Sequence, residues 1–216
     1  MEQIFKSAQW IVGAEAPGNS MAELARDDQE LLRQLSKGNE PAFTALYERY
    51  QGAIYRFALH MSGNNATAEE ATQEVFMQLI NNPRGYDAGK GTVAGYLFGI
   101  ARNVTRRAVQ GSRCELALEE EDLALDEFAM AEELDVLGEL TNGELLAALR
   151  AAVLGLPQQY REAVVLCDLE EFSYQQAGEV LGCSPGTVAS RLHRGRAILK
   201  KKLGCQKNLS CQRCVR

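Results

Sequence analysis

The amino-acid sequence predicts an all-α protein of two small helical domains joined by a flexible acidic linker. No strand-like alternation of apolar and polar residues persists anywhere in the 216 residues, and apolar residues recur instead at helical spacing. Residues that cap helices stand at the ends of these stretches, as at Ser173, Gly182 and Ser184. A hydrophobic content of 46% suffices for one or two compact cores.

The first domain is expected to begin with a helix over 29–36. A second helix is expected to start at Pro41 and to end near Met61. Thr67 and Glu70 have the spacing of a capping box for a third helix to about Ile80. On that helix the helical spacing of apolar residues directs Val75, Phe76 and Leu79 toward the core. It leaves a polar set facing outward: Glu70, Gln73, Glu74 and Gln78.

A glycine-rich loop over 81–91 follows, and Thr92 can cap a helix to about Gln110. Aromatic and basic side chains alternate along this segment, and a protein surface that binds single-stranded nucleic acid requires both. The aromatic residues Tyr96 and Phe98 also fit a core, because Leu97 and Ile100 share their helix.

The charge of the chain is unevenly distributed. The net charge is −6, but residues 114–140 hold eleven acidic side chains and no Lys or Arg, so the remainder carries +5. From Val180 onward there are nine Lys or Arg and no acid. The acidic stretch is expected to be a linker, which at ~3.3 Å per residue reaches roughly 90 Å, more than two turns of DNA at about 34 Å each.

The second domain is expected to contain helices over 143–154 and 157–169, followed by a helix-turn-helix. Ser173 and Gln176 form a capping box, Gly182 permits the turn, and Ser184 with Pro185 begins the second helix. Val188, Leu192, Gly195, Leu199 and Leu203 form its apolar stripe. The other face suits a DNA major groove and consists of Ser184, Thr187, Ser190, Arg191, Arg194 and Arg196. A plain amphipathic helix with a solvated basic face is the alternative.

Several motifs occur in a family-specific order. The first domain contains Ala42-Phe43-x-x-Leu46-Tyr47-x-Arg49-Tyr50, then Ala68-Glu69-Glu70-x-x-Gln73-Glu74-Val75-Phe76, then Tyr96-Leu97-x-x-Ile100-Ala101-Arg102-Asn103, and the second contains Leu156-Pro157-x-x-x-Arg161 and Gly186-Thr187-Val188-x-Ser190-Arg191-Leu192. Together they resemble regions 2 and 4 of bacterial extracytoplasmic-function sigma factors. The domain boundaries expected from the patterns and the resemblance are 1–25 for an N-terminal extension, 26–113 for region 2, 114–140 for the linker, 141–203 for region 4 and 204–216 for a tail.

The resemblance implies a cytoplasmic binding protein that is not an enzyme. It would dock on core RNA polymerase through the β′ clamp and β flap, read the −35 and −10 promoter elements, and answer in some cases to an anti-sigma factor. The polar set on the third helix would contact the clamp, and the region 4 face would read the −35 element. The −10 element would be read by Arg84, Tyr86, Asp87, Lys90, Tyr96, Arg102, Asn103 and Arg106.

A stand-alone helix-turn-helix regulator is the alternative, with the N-terminal helices as a sensing domain. An enzyme is disfavoured because the chain has two histidines and no nucleophile or phosphate-loop motif. No apolar run approaches a membrane span, and the first residues do not form a signal peptide. Both Met1 and Met21 are candidates for the natural start.

The tail carries three cysteines, Cys205, Cys211 and Cys214, among basic residues that favour thiolates. The chain needs no cofactor for the expected function, but these thiols suit zinc or copper(I), with Cys114, Cys183 or His193 as a fourth ligand. A small subgroup of the sigma family has a metal-sensing extension of this kind. A redox pair and a basic end with incidental thiols are the alternatives.

Overall fold

The computed structural model describes residues 21–119 and 142–211, and side chains within 27–111 and 146–203. These residues form helices, turns and loops without a strand, so the all-α prediction is confirmed. The helices are α1 (Met21–Leu35), α2 (Glu40–Ser62), α3 (Asn65–Asn81), α4 (Val93–Glu119), α5 (Asn142–Leu154), α6 (Gln158–Val164) with a π-helical turn (Val165–Leu169), α7 (Tyr174–Leu181) and α8 (Pro185–Cys211). No helix in the described ranges is long and apolar enough to cross a membrane.

Four helix boundaries differ from the sequence prediction by two or more residues. Helix α1 begins at Met21, eight residues before the start expected at 29. The capping box expected at Thr67 is wrong, because the carboxamide of Asn64 accepts from the Thr67 N–H and α3 begins two residues before Thr67. Helix α4 continues to Glu119, into the stretch expected to be linker, and the remaining linker residues up to 140 lie outside the described residues. Helix α8 continues past Leu203 to Cys211, into the expected tail.

The N-terminal domain is held together by the inward faces of α2, α3 and α4. Its fully buried side chains include Phe57, Val75 and Leu97, and Val75, Phe76 and Leu79 are inside as their spacing predicts. Helix α1 is attached by the carboxylate of Asp28, which is 3% exposed and accepts from Arg49 and from the Tyr50 hydroxyl. Burial beside this carboxylate raises the pKa of Tyr50, so the phenol remains a donor.

The C-terminal domain packs α5, α6, α7 and the π-helical turn around the first half of α8. Val188, Leu192 and Leu199 on α8 are at most 2% exposed, as the apolar stripe predicts. At Gly195 the helices come close, because a Cβ there would stand 2.8 Å from a Val164 methyl carbon. The glycine therefore permits the contact between α8 and α6.

The two domains also pack against each other. The rings of Phe98 on α4 and Phe172 before α7 are 4.7 Å apart, and both belong to one continuous apolar core. The guanidinium of Arg161 on α6 donates to the Met61 carbonyl at the end of α2, at 2.7 Å. The acidic linker predicts a flexible connection between the domains, so this docked arrangement is a finding of the structure.

Candidate nucleic-acid interface

Local interactions build the helix-turn-helix of α7 and α8 as the sequence predicts. The Ser173 hydroxyl accepts from the Gln176 N–H and the Gln176 side chain accepts from the Ser173 N–H, so the capping box is confirmed. Gly182 has φ 66°, in the left-handed region that favours glycine. A Cβ on Gly178 would stand 2.7 Å from the Cys183 carbonyl oxygen, so the turn closes tightly against α7.

The outward face of α8 presents polar and basic side chains to solvent. Ser184 caps the helix by accepting from the Thr187 N–H at 3.2 Å, as predicted. Ser190 and Arg194 are exposed on the turns that follow, and Thr187 is half-buried. Because the opposite face is buried, this surface is held in a fixed orientation with its donors open.

Two arginines of the predicted upstream-reading set are engaged within the protein. The guanidinium of Arg196 makes two hydrogen bonds to the Asp168 carboxylate, at 3.0 and 2.5 Å, and these bonds raise the Arg196 pKa. It therefore ties α8 to the π-helical turn. Arg191 is half-buried, with Nη1 3.8 Å from the Cys183 sulfur. Arg194 is exposed and, among the described residues, is not held by a carboxylate.

Five residues predicted to read the downstream element line one cavity of about 350 Å³ at the start of α4. The Tyr86 hydroxyl donates to the Gly91 carbonyl at 2.8 Å, and the rings of Tyr86 and Tyr96 are 5.8 Å apart. An aromatic wall therefore stands beside a lysine. The five residues that the structure brings together, here called the loop pocket, are Tyr86, Asp87, Lys90, Tyr96 and Asn103.

The remaining three members of that predicted set lie apart from the loop pocket lining. Arg84 is exposed on the loop. Arg102, whose side chain is 17% exposed, forms an ion pair with Glu162 of the C-terminal domain at 3.1 Å. Arg106 is half-buried one turn further along α4. The resemblance did not anticipate that Arg102 would be held by the other domain.

The polar set expected to face polymerase is outward on α3. Glu70, Gln73 and Glu74 are exposed, and Gln78 is half-buried and donates to Glu74 at 2.7 Å. The structure adds an apolar groove between α2 and α3, a cavity of about 690 Å³ that includes Gln73.

Sequence reasoning missed the apolar residues of this groove. Tyr47, Met77 and Ile80 are 38 to 46% exposed, and Phe76 lies beside the Tyr47 ring. A signal was present, because Met77 and Ile80 fall off the buried stripe of α3 and yet are apolar.

The side chains of the cysteine site expected in the tail lie outside the described residues. The backbone of Cys205 and Cys211 is helical, while their side chains and the whole of Cys214 lie outside the described residues. Within the described parts of the chain, no group of three metal-ligating side chains comes together. Cys167 is half-buried and its pKa is raised to about 11 by burial, so it behaves as part of the core.

Two family models match the chain, one within each helical domain. The family model for Sigma-70 region 2 matches residues 46–113, and the model for Sigma-70, region 4 matches residues 146–199. The chain is 32% identical over 202 residues to the ECF RNA polymerase sigma factor SigE of Mycolicibacterium smegmatis, covering 92% of this chain and 73% of SigE. It is 30% identical to SigW of Bacillus subtilis, covering 80% of this chain and 94% of SigW.

Solved structures of similar fold include the sigma factor RpoE of Bartonella quintana in complex with the anti-sigma factor NepR. That structure matches with a TM-score of 0.58 at 25% identity, over 75% of this chain and 96% of RpoE. CnrH, solved with the cytosolic domain of CnrY, shows the same fold, with a TM-score of 0.60 at 23% identity over 83% of this chain and 98% of CnrH. By its two region matches and its identity to these relatives, the chain belongs to the extracytoplasmic-function RNA polymerase sigma factors.

Proposed function

We propose that this sigma factor reads its promoter with two surfaces of different construction, one for duplex and one for unstacked DNA. The observation that carries this proposal is the pairing of an open, donor-bearing face of α8 with an aromatic and basic pocket at the loop before α4. The chain supplies binding surfaces in the cytoplasm and is not itself an enzyme, since the chemistry of RNA synthesis belongs to the polymerase.

The α8 face is suited to the upstream, −35 element. Its first turns project Thr187, Ser190 and Arg194 away from a buried stripe, which is how a recognition helix enters a major groove. Arg194 can make a bidentate contact to a guanine edge. Arg196 contributes instead by fixing α8 against the π-helical turn.

The loop pocket is suited to a base of the downstream, −10 element. A base that leaves the stack needs an aromatic surface and a nearby cation, and Tyr86, Tyr96 and Lys90 supply both. Asn103 on α4 adds an exposed amide beside them. The half-buried state of the two tyrosines leaves ring surface available while fixing their positions.

The α2–α3 groove is suited to core polymerase. The exposed apolar side chains of Tyr47, Met77 and Ile80 line the groove together with polar ones such as Glu69 and Gln73. This is the composition of a protein interface with an apolar centre and a polar rim. We assign this surface to the polymerase clamp, with the β flap as partner of the C-terminal domain. An anti-sigma factor is a further partner, because the related RpoE is solved in complex with one.

Transcription in vitro tests the function directly. Purified core polymerase, this protein and a library of genomic promoter fragments should yield RNA starts downstream of a shared bipartite sequence, and the library without the protein should not. Footprinting of an operator by the free protein, with no polymerase requirement, would instead identify a stand-alone helix-turn-helix regulator.

The tail cysteines carry a separate proposal, that zinc, copper(I) or oxidation at Cys205, Cys211 and Cys214 regulates promoter binding. Its support is the sequence pattern of three thiols among basic residues. Triple substitution by Ser should lower metal stoichiometry and remove metal- or oxidant-dependent changes in transcription. Unchanged values on both measurements would leave the tail without a sensing role.

A further inference from the structure

Two ion pairs cross the contact between the domains with one partner almost fully buried. Arg102 of α4 pairs with Glu162 of α6 at 3.1 Å, and the Glu162 side chain is 3% exposed. Arg56 of α2 pairs with Glu170 after the π-helical turn at 3.4 Å, and the Glu170 side chain is 5% exposed. In both pairs the N-terminal domain supplies the cation and the C-terminal domain the carboxylate.

A third carboxylate of the C-terminal domain lies against the loop pocket. Glu179 and Val180 of α7 form the far wall of that cavity. A Cβ built on Gly91 would stand 2.4 Å from Glu179 Oε2, so the carboxylate lies directly against the loop backbone. A Cβ built on Gly95, in the first turn of α4, would lie 3.9 Å from Glu179 Oε2 and 4.0 Å from a Val180 methyl carbon.

These contacts have one electrostatic consequence for nucleic acid. A carboxylate on the wall of the pocket repels the phosphates that flank an unstacked base. Of the two nearby cations that would attract them, Lys90 pairs with Asp87 at 3.4 Å and Arg102 is held by Glu162 of the other domain. The upstream-reading face of α8 is untouched, because Ser190 and Arg194 remain exposed.

We propose that the C-terminal domain holds this sigma factor in a closed, self-inhibited state, in which the Glu179 carboxylate lies on the wall of the loop pocket and Glu162 sequesters Arg102. This inference rests on the function proposed for the loop pocket. In the closed state the protein retains its upstream-reading face but does not accept downstream DNA. Separation of the domains opens the pocket.

The contact between the two domains is weak enough to be reversible. Buried ion pairs contribute little net stability, because desolvation offsets the attraction between the charges. Among the described side chains, the Nε atoms of Arg56 and Arg102 are buried without a hydrogen-bond partner, so both pairs are incompletely satisfied. The residues that line the α2–α3 groove are different from those in the domain contact, so polymerase can dock on the closed protein first.

The Arg56–Glu170 pair offers the sharpest test, because neither residue belongs to a proposed DNA or polymerase surface. Hydrogen exchange of the full-length protein is measured for wild type, Glu170→Arg, Arg56→Glu and the double charge swap. Each single variant should open the domains by like-charge repulsion, speed amide exchange over 91–103 and enlarge the radius of gyration by X-ray scattering. The swap restores the attraction and should return both values toward wild type.

Binding of DNA by the same proteins provides the second measurement. A short fluorescein-labelled single-stranded DNA of randomised sequence should bind Glu170→Arg several-fold more tightly than wild type, and the swap should reverse the gain. Glu179→Gln should also increase binding while the domains stay docked. The matched control for charge is Glu40→Arg, an exposed position at the far end of α2 that makes the same change in net charge.

The outcomes separate this inference from the proposed function. Equal exchange in wild type and Glu170→Arg, or a swap that fails to restore protection, overturns the closed state. Faster exchange without tighter DNA binding overturns self-inhibition. If the conformational results hold but pocket variants leave transcription by core polymerase unchanged, the function proposed for the loop pocket fails and the domain contact stands.

Discussion

The two DNA-reading surfaces of this sigma factor differ in how they are assembled and in whether they are open. The face of α8 is made within one stretch of about thirty residues, by caps, a left-handed glycine and an apolar stripe. The loop pocket is made from a loop and the first turns of α4, and α7 of the other domain forms its far wall. A surface that depends only on local structure is open when the chain folds, whereas one at a domain boundary is available for regulation.

The largest expected effect comes from removing the buried support under the α8 face. Leu192→Ala deletes a side chain that is 1% exposed in the C-terminal core, and we expect a loss of about 2–5 kcal/mol in the free energy of unfolding. Urea unfolding followed by circular dichroism measures it. His193→Ala, at the neighbouring exposed position, is the control and should change little. An equal loss in both variants would contradict the assigned packing of α8.

The next largest effect separates recognition of promoter bases from packing on the same helix. Arg194→Ala should weaken use of the upstream element by about 1–3 kcal/mol if the lost contact is bidentate to a base, with no change in unfolding. Transcription from promoters with matched and mutated upstream elements measures it. The variant should lose the preference between the two promoters. If Arg194→Ala lowered transcription equally on both, the base contact would be wrong.

The sequence predicted the α8 surface well because every signal for it is local. Ser173, Gln176, Gly182 and Ser184 each act within a few residues, and the structure shows them in their predicted positions. The predicted start of α3 was wrong because this boundary, too, was assigned from local spacing alone. Asn64 and Thr67 are both good N-cap residues three positions apart, and spacing alone does not choose between them.

The domain contact could not be predicted because its residues look ordinary in the sequence. Glu162, Glu170 and Glu179 each fit a solvated helix face by spacing. The burial of Glu162 and Glu170, and the contact of the exposed Glu179, depend on arginines and a glycine sixty or more residues away. The family resemblance adds no signal for them, since it concerns surfaces that meet DNA and polymerase. Tertiary docking is therefore what turned Arg102 from a predicted DNA contact into a partner of Glu162.

A smaller effect probes the domain contact through pH. Burial raises the pKa of Glu170 from 4.5 to about 7 against the opposing effect of Arg56, so the folded protein binds this proton more tightly than the unfolded chain. The resulting stability is present below pH 4.5 and is lost as pH rises through about 7. From pH 6.5 to 8 we expect the unfolding free energy to fall by about 1 kcal/mol.

Two groups near Glu170 determine how this pH measurement is designed. Glu171 is its neighbour in sequence, and His60 lies near Arg56 with a pKa lowered to about 4, chiefly by burial, so the imidazole is neutral throughout the chosen range. Glu170→Gln should make the stability flat across the same range, measured by urea unfolding at each pH. A slope that persists in Glu170→Gln would assign the titration to another group.

The smallest effect concerns sequence-independent attraction beyond the reading turns of α8. Lys200 and Lys201 are exposed there, whereas Lys202 is half-buried, with its amine 2.5 Å from the position of a Cβ on Gly155. Lys201→Ala should therefore reduce the slope of log affinity against log salt by about one for every promoter alike, because one phosphate contact is lost. Promoter binding by the holoenzyme between 50 and 200 mM salt, about a fourfold range, measures the slope.

Lys202→Ala is the matched control and should leave the slope unchanged, since that amine faces α5. A Lys201→Ala effect that varied with promoter sequence would place this side chain among the base-reading residues and extend the α8 surface by two turns.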